Sequence, residues 1–180
     1  MNEKKNKGFS ARKLTVCAML AALGVVILYL GSLVEILDIS IAVFASVLCI
    51  IAVIEYGGGA PWMIYAITAI LSLILIPNKT PAYLYTVFFG FYPILKEKLE
   101  KTKNVISWVL KELIFNICLA ILICVALFLF TTEDNILRNP LYIAAIVVLS
   151  EGVFILYDIA LTRLISFYMY NLRKRLRFKK

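Results

Sequence analysis

The sequence predicts an all-α integral membrane protein, with six transmembrane helices in one bundle and a short, irregular fourth span. Three observations predict it. Hydrophobic residues make up 63% of the 180 positions and charged residues 17%, with a mean hydropathy of +0.93. That composition lies far outside the soluble globular range. The apolar residues fall into six successive stretches divided by short charged or Gly/Pro-marked breaks. A soluble core accommodates one long apolar run, whereas six would leave the fold no polar surface. Finally, Lys and Arg gather before span one, after span four and after span six, as they do on one side of a chain threaded through a bilayer, while the loop 55–59 carries none and is neutral on this point.

The first span is the uncharged run 14–34, long enough for the roughly 20 residues that cross a ~30 Å hydrocarbon core. The N-terminus has the charged-then-apolar order of a signal peptide. Its apolar stretch is long, no small-x-small cleavage site follows, and five further spans do, so it reads as an uncleaved helix. Spans two and three, 39–54 and 60–78, are joined by Glu55-Tyr56-Gly57-Gly58-Gly59, whose glycines permit a tight turn. Pro77-Asn78-Lys79-Thr80-Pro81 closes the third. The fourth, 81–95, reaches only about 22 Å as a helix, and Gly90 and Pro93 favour a bent or partly unwound end. The fifth, 113–130, begins near Ile106. The sixth, 141–170, is interrupted by Glu151, Asp158 and Arg163.

Basic residues precede span one (Lys4, Lys5, Lys7, Arg12, Lys13), follow span four (Lys96, Lys98, Lys101, Lys103) and follow span six (Arg173, Lys174, Arg175, Arg177, Lys179, Lys180). The opposite loops hold only Lys79 and Arg138, beside acidic Glu35, Asp38, Glu133 and Asp134. Both termini are therefore expected in the cytoplasm. The organisation is a basic N-terminal segment 1–13, a single six-helix membrane domain 14–170 and a basic tail 171–180. The net charge of +8 is mostly topological. Positive-inside flanks and contact with anionic lipid account for the basic tail, so no nucleic-acid partner is expected.

Several chemistries are excluded. The chain has no histidine, which removes Ser-His proteolysis, His-based phosphatase chemistry and His-ligated haem or zinc. Cys17, Cys49, Cys118 and Cys124 are scattered without a C-x-x-C pair and read as small apolar residues. No P-loop and no G-x-G-x-x-G occurs, so any active transport must draw on an ion gradient or another subunit. The carboxylates are too few and too scattered for a metal or phosphate site. The expectation is a non-enzymatic protein without a cofactor.

Ionisable groups within spans are costly and mark candidate functional positions. With spans five and six antiparallel, Lys111 and Glu112 come level with Asp158, and a Lys111–Asp158 ion pair would neutralise both. Arg163 is near enough to the interface to snorkel. Glu151, mid-span, has no basic residue at its depth. It reads either as a carboxyl hydrogen-bonded to Asn116, Ser150 or a carbonyl, or as a ligand or proton site facing a cavity. The ring-rich run Tyr83-Leu84-Tyr85-Thr86-Val87-Phe88-Phe89-Gly90-Phe91-Tyr92-Pro93 suits interfacial anchoring, which explains Tyr83, Tyr92 and Tyr142, or stacking on a flat ligand. Ala18 and Ala22, four apart, share a helix face that another helix could approach closely.

The opening of the first helix, Arg12-Lys13-Leu14-Thr15-Val16-Cys17-Ala18-Met19-Leu20-Ala21-Ala22-Leu23, resembles the substrate-binding (S) components of energy-coupling factor (ECF) transporters. That resemblance implies a six-helix S-component-like bundle with both ends cytoplasmic, in a bacterial cytoplasmic membrane. It implies partner docking at Ala18 and Ala22, against a transmembrane coupling subunit driven by two separate ATPases. The implied cargo is a vitamin-like micronutrient bound near the outer face, where Glu151, Tyr85, Tyr142 and the Glu35/Asp38 loop are suitably placed. With Asn116 beside Glu151, the expected ligand-binding set is Glu151, Asn116, Tyr85 and Tyr142. The run Phe89-Gly90-Phe91-Tyr92-Pro93-Ile94-Leu95-Lys96 also resembles small bacterial membrane proteins of this general type, which leaves open a relative without the transport role. Two alternatives from other classes remain, an autonomous carrier with Glu151 as its proton site and a non-transporting scaffold or regulatory subunit. No internal repeat of the kind many secondary carriers show is evident.

Overall fold

A computed structural model describes residues 11–102, 104–129 and 140–172. Most of the basic N-terminal segment, the basic tail beyond residue 172, Lys103 and the loop carrying Glu133, Asp134 and Arg138 lie outside the described residues. Among the described residues all regular secondary structure is helical. The helices are α1 (Ala11–Gly31), α2 (Asp38–Glu55), α3 (Ala60–Leu75), α4 (Thr80–Leu84), α5 (Tyr92–Leu99), α6 (Asn104–Leu129) and α7 (Pro140–Phe167). Four stretches are long and apolar enough to cross a membrane: Ala11–Gly31, Asp38–Glu55, Val105–Phe128 and Leu141–Tyr170. Large side chains stand outward along them, with Phe128 81% and Leu156 69% exposed. Such outward apolar surface fits a multi-pass membrane-embedded protein.

Of the other two apolar runs, the third is shorter than its hydropathy suggests and the fourth is broken, as expected of it, each for a local reason. Ile76 precedes Pro77, whose ring disfavours helical geometry in the residue before it. Ile76 is accordingly extended (φ −81°, ψ 127°) and α3 stops after 16 residues. Lys79 then folds back, its Nζ donating to the carbonyls of Leu73 at 2.8 Å and Ile74 at 3.4 Å, so a cation closes the open carbonyl end of α3. Asn78 Oδ1 accepts from the Thr80 amide at 3.2 Å and starts α4, with Pro81 in its first turn. The fourth run is α4, one π-helical turn over Tyr85–Phe89, a break at Gly90 and Phe91, and α5 with Pro93 in its first turn.

The chain divides into two compact units, one ending at Lys98 and one beginning at Leu99. The first is held by small residues. Cys17, Ala21, Gly24, Val25, Leu28 and Gly31 form the buried face of α1, and Ala42, Ala45, Ser46, Cys49 and Ala52 are buried on α2. Such faces let backbones approach where no hydrophobic effect drives helices together. Gly31 is the closest approach, because a Cβ there would overlap the Ile41 side chain. Thr68 Oγ1 donates to the Ala21 carbonyl at 3.4 Å, tying α3 to α1.

Of the three glycines between α2 and α3, two have positive φ, Gly57 at 54° and Gly58 at 59°, while Gly59 sits at −84°. Only the first two exploit the freedom that an L side chain lacks. Gly58→Ala should cost about 1 kcal/mol in the left-handed region, and Gly59→Ala far less. Detergent-solubilised melting curves of the two variants check this, and equal losses would contradict it. At the same turn Lys13 Nζ donates to the Tyr56 carbonyl at 3.4 Å and lies 5.6 Å from the Tyr56 ring centroid.

The second unit is built on α6 and α7. Phe115 and Phe154 stack with centroids 4.4 Å apart and planes 12° from parallel. The buried residues Phe115, Cys118 and Leu119 on α6, and Phe154, Tyr157, Asp158 and Leu161 on α7, recur at helical spacing. Despite three ionisable residues, α7 runs unbroken for 28 residues.

Candidate functional site

The charged side chains of α6 and α7 come together in two clusters. In the first, Lys111 Nζ donates to both oxygens of Asp158 at 3.2 Å and lies 3.4 Å from Glu100 Oε1. Lys111 and Asp158 are each 4% exposed, and the Trp108 ring centroid lies 5.7 Å from the ammonium. Two carboxylates and an aromatic face replace the hydration this lysine gives up. These groups line a cleft of about 570 Å³ with Ser107, Ile159, Thr162 and Arg163.

In the second cluster the carboxyl groups of Glu112 and Glu151 lie near enough to interact electrostatically. Glu151 Oε2 is closed off from solvent and receives no donated hydrogen bond. Asn116 does not reach Glu151. Its Nδ2 donates to the Glu112 carbonyl at 3.1 Å, one turn back on its own helix. Glu112 and Asn116 line a shallower cleft of about 520 Å³ with Trp108, Val109 and Leu113. Sequence reasoning placed Glu112 in the span but did not pair it with Glu151. The available signal was simply a second carboxylate on the neighbouring span.

Within the second unit the expected ligand-binding residues Glu151, Asn116 and Tyr142 are not joined by any hydrogen bond. Tyr85 is 1% exposed in the core of the first unit, with its hydroxyl 3.2 Å from Cys49 Sγ. Tyr142 is exposed near the start of α7, nine residues before Glu151 and so on the opposite side of the helix. The ring-rich run packs on itself, with Phe88 against Phe89 and Tyr92 and Tyr65 against Tyr85 and Phe91. Tyr65, not singled out from the sequence, donates its hydroxyl to the Thr86 carbonyl at 2.8 Å inside the π-helical turn. Widening of that turn disturbs its backbone pairing, and this phenol supplies a partner.

On α1 the two alanines stand apart from the packing face. Cys17, Ala21 and Gly24 are buried, whereas Ala18 and Ala22 are exposed between the larger Met19 and Leu23. Among the described residues no group of three or more His, Cys, Asp or Glu side chains could hold a metal ion. No protein-family model, curated protein or solved structure matches the chain.

Proposed function

We propose that this chain is the membrane-embedded substrate-binding subunit of an ECF-type importer, carrying a small vitamin-like micronutrient across a bacterial cytoplasmic membrane. In this reading α3 and the broken α4–α5 segment supply the third and fourth crossings of a six-span S-component-like bundle, with both termini cytoplasmic. The subunit performs no covalent chemistry and needs no cofactor. A separate coupling subunit and two ATPases supply the energy.

The observation that carries the reading is the outward step of small residues at Ala18 and Ala22. The first unit already uses a different small-residue face of α1, through Ala21 and Gly24, for its own packing. The second step is therefore left for a helix from outside, approaching as closely as alanine allows. Glu151 supports the ligand half of the reading, as a carboxylate that can meet a cationic or hydrogen-bond-donating group on the cargo.

Gentle affinity purification from the native membrane tests this. The expected result is co-purification of two ATPases and a second transmembrane subunit, lost when Ala18 and Ala22 are both changed to Leu. Recovery of the bare chain, under conditions that preserve a known complex of this type, would reject the proposal. Glu151→Gln should weaken cargo binding roughly tenfold, the size of one charge-assisted hydrogen bond. Unchanged affinity would remove Glu151 from the site. The Glu112–Glu151 pair favours one second reading, an autonomous carrier in which the two carboxyls accept a coupling proton. It predicts uptake that follows the proton gradient without any ATPase.

A further inference from the structure

We propose that the cleft around Lys111 and Asp158 binds the zwitterionic headgroup of a phospholipid, specifically one with a phosphate and a primary ammonium. The proposal is independent of the transport reading and requires only that α6 and α7 cross a bilayer.

Depth is the first argument. Lys111 lies six residues inside the candidate span Val105–Phe128, and Arg163 lies seven residues before the end of Leu141–Tyr170. At about 1.5 Å per residue both are roughly 10 Å inside those span ends, near the boundary between headgroups and acyl chains. A cleft of about 570 Å³ at that level adjoins lipid, and its volume falls within the range of small-molecule sites.

Charge is the second argument. Glu100, Asp158, Lys111 and Arg163 line the cleft together, so its fixed charges balance. Lys111 is held on two sides by the carboxylates. Glu100, with its side chain 43% exposed, and Arg163, also exposed, form the open rim. A bare anion entering here would meet Glu100, and a bare cation would meet Arg163. A ligand carrying both signs a few bonds apart satisfies the two together, with its phosphate on the guanidinium and its ammonium donating to the carboxylate.

The walls give the third argument. Trp108 and Ile159 line the same cleft, and both expose large apolar surface, 45% in each case. Val109 and Leu156 continue that exposed surface along the two helices. A ligand whose polar group is tethered to hydrocarbon fits this sequence of surfaces, and indole is among the side chains enriched at that boundary.

The test uses the full chain in a mild detergent, with thermal unfolding followed as short-chain lipids are added. Phosphatidylethanolamine should bind at least tenfold more tightly than phosphatidylglycerol or phosphatidylcholine. Arg163→Gln and Glu100→Gln, both at the exposed rim, should each remove about tenfold of that affinity, the size expected for one charge-assisted hydrogen bond. Equal binding of phosphatidylglycerol would overturn the zwitterion assignment. Equal binding of free glycerophosphoethanolamine, which has no acyl chains, would overturn the lipid assignment in favour of a soluble phosphodiester. No preference among the lipids, with both variants melting as the parent does, would overturn the proposal and leave the rim without a lipid ligand.

Discussion

Replacing Lys111 with methionine should lower stability by about 3–5 kcal/mol, the largest single-substitution effect expected in this chain. The loss is not the value of the ion pair itself. It is the cost of leaving Asp158, 4% exposed, beside Glu100 with no cation between them. The double variant Lys111→Met/Asp158→Leu removes both charges and should recover most of the loss, because a buried pair offsets its desolvation only narrowly. A double-mutant cycle by thermal or denaturant unfolding in detergent measures the coupling. If Lys111→Met alone proves neutral, the pair is solvated and the cluster is not the anchor of the second unit.

The second large effect is at Gly90. A Cβ placed there lies 2.7 Å from Tyr65 Cδ2 and 2.8 Å from Tyr85 Cε1, below any normal carbon contact. Both rings are held in place, Tyr65 by its hydrogen bond to Thr86 and Tyr85 by its contact with Cys49. Neither can swing away as the tip of a flexible chain would. Gly90→Ala should therefore cost about 1–3 kcal/mol of overpacking strain. Gly152 on α7 is the control, since a methyl group there would meet no atom within 4 Å. Gly152→Ala should be neutral, or gain up to about 1 kcal/mol from helix propensity. Two alanines with opposite signs on one melting assay separate close approach from generic glycine effects.

The contrast between these sites shows what a sequence reveals. The Lys111–Asp158 contact was foreseeable because depth along antiparallel spans is simple counting, and an unpaired charge in hydrocarbon demands a partner. The end of α3 and the break ahead of α5 were foreseeable because proline acts on its immediate neighbours. Counting failed for Glu112 and Glu151. It assigned them different levels, but two glutamate side chains together reach across more than a helical turn. It failed for Asn116 too, because an amide on a helix can turn back to its own carbonyls without crossing to a neighbour. The π-helical turn has no local signature. It persists where a phenol 21 residues earlier in the chain reaches its backbone, a contact that exists only after folding. Counting apolar runs overstated the number of long helices for a related reason, since hydropathy sums composition and takes no account of where Pro77 stops the rise.

The arrest of α3 bears on the membrane itself. With 18 and 16 residues, α2 and α3 are about 27 and 24 Å long, while α6 and α7, at 26 and 28 residues, measure about 39 and 42 Å. A bilayer with a ~30 Å hydrocarbon core is thicker than the first pair and thinner than the second. In the proposed six-span arrangement, where α3 also crosses, the short pair draws lipid inward or lets its ends sink, and the long pair must tilt, each at a fraction of a kcal/mol per Å. In that arrangement thicker host lipid relieves α6 and α7 as it strains α2 and α3, so acyl-chain length becomes a variable to which the two helix pairs respond in opposite directions.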